Sequence, residues 1–307
     1  MQPSTLRIAT RKSPLAMWQA QSIASQLQQA WPGLAIQLLP MQTSGDRFLK
    51  DKLLAVGGKG LFVKELEDAL LQNKADVAIH SMKDVPSALP DGLEVVVIAK
   101  RDSPYDAFVS LNYTTIDALP TGAVIGTASL RRQSQLLAYR PDITTQTLRG
   151  NIHTRLKKLI AHPFDAIILA VAGLERMNLH SEIKQIIPSE VMLPSCGQGA
   201  LGIECRLDDS NTQTLIAPIH NKLTATCVNV EREINRLLGG NCHVPVAIYC
   251  QVQDETRLLL RAKVLSPDGR RMIQGTSSGP IEDPTALIEL CAEQLFTQGA
   301  KQLLQLT

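Results

Sequence analysis

Through the first two thirds of this 307-residue chain, short β-branched runs alternate with amphipathic stretches of helical period. No other property restricts the fold as much, because strands joined through helices pair mainly in parallel and need helices over both sheet faces. Runs at 6–9, 35–39, 77–80 and 94–99 read as strands. A helix is expected to open with Ser13 as N-cap and Pro14 in its first position. Another is expected over 62–72, with Phe62, Val63, Leu66, Ala69 and Leu70 on one face. Arg101-Asp-Ser-Pro104 interrupts the pattern, and a second series of strands follows at 106–110, 123–126, 143–148 and 166–170. Pro188, Pro194 and the Gly-Gln-Gly of 197–199 mark a second seam. Beyond Pro218 the grammar changes to a helix at 224–238, strand-like runs at 246–252, 257–264 and 271–274, a Ser-Pro-Asp-Gly turn at 266–269 and a closing helix at 284–304. That last piece reads as a small α+β domain with an antiparallel sheet.

A weak internal echo links the first two series. Ile8-Ala-Thr-Arg-Lys-Ser13 and Ile125-Gly-Thr-Ala-Ser129 each end a strand on a Thr and then a Ser cap. The echo implies two similar α/β domains whose strand-to-helix turns face one cleft, where open sheets bind ligands.

Composition removes several classes of function. With 44% hydrophobic and 20% charged residues the chain can bury a core, and disorder is excluded. Aromatic residues are only 4%, too few for stacking platforms on single-stranded nucleic acid. The net charge of +2 also argues against a polyanion partner. The amino terminus places Arg11 and Lys12 where a signal peptide needs apolar residues, so a cytoplasmic location is expected. The most apolar stretch, 166–174, is half the length of a membrane span. The cysteines at 196, 205, 227, 242, 250 and 291 form no C-x-x-C pair, so free thiols are expected rather than disulfides or zinc.

The cations are unevenly placed. Residues 122–176 hold eight Lys or Arg against three acids, and residues 177–217 hold two against five. Ser129-Leu-Arg131-Arg132 follows a strand and opens a helix, where backbone N–H groups already favour an anion. Arg149 ends a strand, and Asn151 is positioned to cap the helix carrying Arg155. With Arg11 and Ser13 these forked donors suit carboxylates or phosphates; the alternative is a solvated helix face, which fits Lys157 and Lys158. His80-Ser-Met-Lys83-Asp84 sets a base and an acid after a strand, either for proton transfer or simply paired with each other. Gly57-Gly-Lys59-Gly60 lacks the spacing of a nucleotide-binding loop. Cys242, on the loop Gly239-Gly-Asn-Cys-His243, is either a functional thiol or a buried small hydrophobe.

Several ordered motifs together cover nearly the whole chain: IATRKSPLAMWQA at 8–20, GGKGLFVKELE at 57–67, DVAIHSMKDVP at 76–86, GTASLRRQSQL at 126–136, LRGNIHTRL at 148–156, LAVAGLERM at 169–177, PSCGQGALGIE at 194–204 and GGNCHVPVA at 239–247. In this order they resemble the porphobilinogen deaminase (hydroxymethylbilane synthase) family. The resemblance implies an enzyme that joins four porphobilinogen units head to tail into hydroxymethylbilane and releases ammonia at each addition. It implies a dipyrromethane cofactor held through a thioether to Cys242, and Asn241 departs from the small residue the family usually has before that cysteine. Each pyrrole brings an acetate and a propionate, so the growing chain needs many cations. By the resemblance, Lys83, Ser129, Arg131, Arg132 and Arg155 hold the cofactor together with Asp84. Arg11, Ser13, Gln19, Lys59, Arg149, Arg176 and Gln198 bind substrate. Asp84 is then the catalytic acid beside the pyrrole N–H groups, assisting loss of ammonia and stabilising the cationic azafulvene. The implied fold is two α/β domains like type II periplasmic binding proteins around a cleft, residues 1–99 with 200–217 and residues 100–199. A carboxyl-terminal α+β domain, 218–307, with a three-stranded antiparallel sheet completes it. The implied partner is porphobilinogen, with no metal, nucleic acid or membrane, and the implied state is a monomer. The competing reading is a non-catalytic binding protein for a carboxylate or phosphate ligand.

Overall fold

The structure, a computed structural model, describes residues 5–44, 63–161, 163–239 and 244–305. It divides into two compact units, one formed by the chain up to 102 with 200–225, the other by 103–199 with 226–307.

The first unit is built on a five-stranded sheet of β1 (Leu6–Arg11), β2 (Ile36–Met41), β3 (Val77–Ser81), β4 (Leu93–Ile98) and β10 (Leu201–Arg206), in the order β2-β1-β3-β10-β4. Strand alternation sorts the core. Leu6, Ile8, Val77, Ile79 and Ile203 pack with Ile23 and Leu27 of α1 (Pro14–Ala30). Ala9, Ala78 and Leu93 pack with Leu66 and Leu70 of α2 (Lys64–Leu71) on the other face.

The second unit contains the sheet β7-β6-β8-β5-β9, made from β5 (Asp106–Val109), β6 (Val124–Gly126), β7 (Thr144–Gln146), β8 (Ala166–Ala170) and β9 (Gln185–Ile186). Its helices are α3 (Leu130–Tyr139), α4 (Ile152–Ala161) and α5 (Val171–Arg176). The same unit holds an antiparallel sheet of β11 (Val246–Val252), β12 (Arg257–Leu265) and β13 (Met272–Pro280). Its core is filled by Val230 and Ile234 from α7 (Lys222–Leu237), Leu287 and Leu295 from α8 (Thr285–Thr297), and Leu303 from α9 (Ala300–Gln305). A further helix, α6 (Ser210–Ile216), belongs to the first unit.

The two five-stranded sheets share one plan. In each, three strands run parallel and a fourth inserts antiparallel beside them, β10 against β3 and β5 against β8. The fifth pairs antiparallel with that insert. The sheets are therefore mixed rather than mainly parallel. Residues 201–206 form a strand that the sequence conceals, because Gly202 and Glu204 are poor strand formers. Gly202 is required by space, since a Cβ there would meet Met82 and come within 2.9 Å of Val95 Cγ1. The closing helix is broken in two at Gly299, whose φ of +90° lies in the region that favours glycine.

Candidate active site

In the first unit the predicted residues gather at the carboxyl ends of β1 and β3. Ser13 has extended backbone and its Oγ accepts from Ala16 N at 3.3 Å, capping α1 as expected. Thr10 Oγ1 donates to Ala16 O at 3.1 Å, fastening the strand end to the same turn. Arg11, the last residue of β1, is half-buried. Gln19 is buried on α1, and its Nε2 donates to Ser81 Oγ at 3.1 Å, so its side chain ties α1 to the end of β3.

Immediately after β3 a 3-10 turn, Met82–Asp84, presents the candidate acid and base. Met82 is buried, and its N–H donates to Ala200 O at 3.0 Å. Lys83 is half-buried and Asp84 is exposed. Among the described residues no hydrogen bond or ion pair engages the Asp84 side chain, so the Lys83–Asp84 pairing that spacing allowed does not form. A solvent-facing carboxylate fixed at a strand end by a buried neighbour is available to receive an N–H or to face a developing cation.

The second unit carries the cations. Ser129 Oγ accepts from Arg132 N at 3.5 Å and caps α3, while Thr127 Oγ1 accepts from Ser129 N. The two echoing serines thus cap a helix in each unit, whereas the threonines differ, Thr10 donating to a helix carbonyl and Thr127 accepting from a backbone N–H. Arg131 and Arg132, each only 6% exposed, converge on Asp106, which is 0% exposed. Arg131 Nη2 donates to Asp106 Oδ2 at 2.7 Å. Arg132 donates through Nε and Nη2 to Oδ1. Their remaining forks reach Leu193 O and Ile168 O. Burial would raise the Asp106 carboxyl, but the two guanidiniums outweigh it and hold it at about 2. Burial lowers the Arg131 pKa, with Asp106 opposing. Two cations share one anion, so the group keeps a positive charge beside the α3 amino terminus.

Gln198 is buried and donates from Nε2 to Pro104 O at 2.6 Å and to Asp106 Oδ1 at 3.1 Å. Arg176 is also buried, with Nη2 donating to Gly199 O at 2.8 Å. Arg155 is half-buried on α4 and donates through Nε to Gly150 O. Asn151 caps α4 by accepting from Thr154 N at 2.9 Å. Arg149 stands apart. It is half-buried, and among the described residues its guanidinium makes no hydrogen bond or ion pair. Lys157 is exposed as expected, but Lys158 Nζ donates to Arg149 O at 3.2 Å; β7 stops at Gln146, so Arg149 lies three residues beyond the strand rather than at its end.

Lys59 and Cys242 lie outside the described residues. The other cysteines are free thiols, and burial pushes Cys205 and Cys291 up to about 11, which makes them unreactive. Two acids escaped the reading of the sequence. Asp106 opens an apolar strand, where a lone carboxylate implies a buried cation partner. Glu231 is buried on α7, accepting from Gly197 N at 2.7 Å and Cys250 N at 2.9 Å. It thereby fixes the 197–199 loop to β11, a role hidden inside an ordinary amphipathic helix.

A family model described as porphobilinogen deaminase, dipyromethane cofactor binding domain, matches residues 6–214. A second, described as the porphobilinogen deaminase C-terminal domain, matches residues 225–297. The chain belongs to the porphobilinogen deaminase family. Porphobilinogen deaminase of Legionella pneumophila strain Lens is 57% identical over 304 residues, 99% of this chain and 98% of that one. That of strain Philadelphia 1 is 56% identical over the same length. Among solved structures, a putative methionine-binding lipoprotein from Bacillus subtilis is 12% identical, with a TM-score of 0.43 over 72% of this chain and 92% of that chain. The dipyrromethane cofactor of the porphobilinogen deaminase family carries an acetate and a propionate on each ring. Within the second unit, the net positive charge of two guanidiniums sharing one carboxylate, a further guanidinium at Arg149 and the Ser129-capped start of α3 suit the carboxylates of such a group.

Proposed function

We propose that the chain joins four porphobilinogen units head to tail into hydroxymethylbilane, releasing one ammonia per addition, as an enzyme of tetrapyrrole biosynthesis. The observation that carries this reading is that both family models fit in order along one chain, with near-complete coverage of a 57% identical relative. When bound, dipyrromethane supplies a nucleophilic pyrrole from which the product grows, and Cys242 is the residue that holds it.

The residues of this chain divide the remaining work by chemistry. Asp84, exposed and without a side-chain partner among the described residues, accepts hydrogen bonds from pyrrole N–H groups and faces the positive charge that develops as ammonia departs. It then removes the ring proton once the new carbon–carbon bond has formed. Lys83, Ser129, Arg131, Arg132 and Arg155 hold cofactor carboxylates. Arg11, Ser13, Lys59, Arg149 and Arg176 hold those of the substrate and growing chain. Gln19 and Gln198 serve the same sites, and the bonds of Gln19 to Ser81 and of Gln198 to Asp106 support their acting by setting the neighbouring groups.

Three further readings accompany this one. The domains are residues 1–99 with 200–217, 100–199 and 218–307, the enzyme is a monomer, and it works in the cytoplasm. No helix among the described residues is long and apolar enough to cross a membrane.

Intact mass of the denatured chain, purified with porphobilinogen available, tests the proposal. The expected result is a covalent addition equal to two linked pyrrole units, absent from Cys242→Ser. An unmodified wild-type mass favours the non-catalytic binding protein instead.

A further inference from the structure

The first unit buries three ionisable side chains that the assigned chemistry does not use. Glu67 on α2, His80 on β3 and Glu204 on β10 are all more than nine-tenths buried. His80 Nε2 lies 2.8 Å from Glu204 Oε2, a diagonal pair across antiparallel strands in which His80 opposes Gly202 and Glu204 opposes Ala78. The carboxylate is an acceptor, so Nε2 carries the hydrogen. Glu204 Oε1 and Glu67 Oε1 are each buried with no hydrogen-bond partner among the described residues. Two buried acceptors without donors are costly, and a proton on Glu67 converts one of them into a donor.

The electrostatics agree. Burial first, and the Glu204 charge second, push the Glu67 carboxyl up to about 7, with His80 opposing and Asp68 adding a smaller repulsion. Other charged groups on the elements around α2 are engaged elsewhere or face solvent. Arg7 of β1 pairs with Asp76, and Arg206 of β10 donates to Leu70 O and Ala75 O and pairs with Asp209. Glu65, on α2 itself, accepts from Ser44 N at 2.7 Å. Glu94 of β4 is exposed, and Arg11 sits half-buried at the far end of β1.

Strand β10 connects this cluster to the turn bearing Asp84. Glu204 lies two residues from Gly202, against which Met82 packs with no room for a Cβ, and Ala200 O accepts from Met82 N. We propose that Glu67, His80 and Glu204 form a buried cluster that positions the Met82–Asp84 turn through β10, with Glu67 acting as a hydrogen-bond donor rather than as an ion. Glu67 is thus a positioning residue. The inference rests on the catalytic reading of Asp84.

The test compares wild-type holoenzyme with Glu67→Gln, Glu67→Ala and Glu204→Gln, measuring the thermal midpoint at pH 5 and pH 8 and the steady-state constants for porphobilinogen. An unfolded glutamate loses its proton near 4.5, whereas the folded Glu67 keeps it until about 7, so wild-type stability falls as pH rises through that window. Gln cannot ionise, so the midpoint of Glu67→Gln relative to wild type should rise by about a few degrees from pH 5 to pH 8. Removing the Glu204 charge should flatten the wild-type slope in the same direction. For turnover, Glu67→Gln should keep kcat within about twofold of wild type, while Glu67→Ala loses roughly tenfold in kcat with little change in KM. The proposal is overturned if Glu67→Gln shows the wild-type pH slope, if Glu204→Gln keeps that slope, or if Glu67→Gln loses as much kcat as Glu67→Ala. An active Asp84→Ala enzyme would refute the catalytic reading and leave the pH slope of Glu67 unchanged, so the two failures are distinguishable.

Discussion

Asp106 Oδ1 accepts from both Nε and Nη2 of Arg132, at 3.0 and 2.7 Å, while its second oxygen takes Arg131. A fully buried carboxylate thus holds two adjacent guanidiniums that would otherwise repel. Asp106→Ala leaves two uncompensated buried cations and should cost about 3–5 kcal/mol, read as a shift in the denaturant midpoint. The acid side follows from the same pair. Asp106 keeps its charge down to about 2 when folded, against 3.8 in its unperturbed state, so its stabilisation is present above 3.8 and is lost as pH falls toward 2. Acid titration of ellipticity should show that component in the wild type and not in Asp106→Asn.

Asp84 makes the opposite case. Its carboxylate is exposed and bonded to nothing among the described residues, so Asp84→Ala should change stability by less than about 0.5 kcal/mol. Turnover should fall by at least about a hundredfold, with the cofactor mass still on the chain. Ammonia release at a near-normal rate from that variant would remove Asp84 from the mechanism.

Arg149 offers a fork with no partner among the described residues. Arg149→Lys keeps the charge but loses the bidentate geometry, and should raise KM for porphobilinogen by about tenfold with an unchanged thermal midpoint. Equal KM values for Arg149→Lys and wild type would show that a point charge suffices there.

Gly150 follows that arginine in the chain, and its carbonyl accepts from Arg155 Nε at 2.8 Å. Its φ is +124°, and a Cβ would come within 2.7 Å of Thr154 Cγ2. Gly150→Ala should therefore destabilise the second unit by about 1–3 kcal/mol and weaken substrate binding together with it. Paired urea titrations and KM measurements check whether the two effects move together.

Much of this was legible because local chemistry and fold agree. Ser13 and Ser129 cap their helices as their sequences advertise, and the run at 166–170 is a strand end to end. Long-range pairing was not legible. Nothing in Leu201-Gly-Ile-Glu-Cys-Arg206 announces a central strand, because its stability comes from β3 and β4 rather than from its own propensity. Arginines 131 and 132 stood out as cations, but their anchoring to Asp106, 25 residues away for Arg131, depends on tertiary structure alone. The resemblance gave Gln19 and Gln198 as substrate-binding groups, and nothing in their sequence context showed that both are buried connectors. The break at Gly299 was visible as a glycine and was masked by the apolar period on either side of it.

The place of β10 also bears on how the chain is made. Until residues 201–206 emerge from the ribosome, β3 has no partner on one side and β4 has none of its pairings within the first sheet. The amino-terminal segment cannot complete its own sheet as it is synthesised, and it exposes an open strand edge while the next hundred residues are added. The second sheet receives all five of its strands from residues 106–186 and closes first. Assembly therefore runs against the direction of synthesis, and the early segment is the one that most needs protection from aggregation.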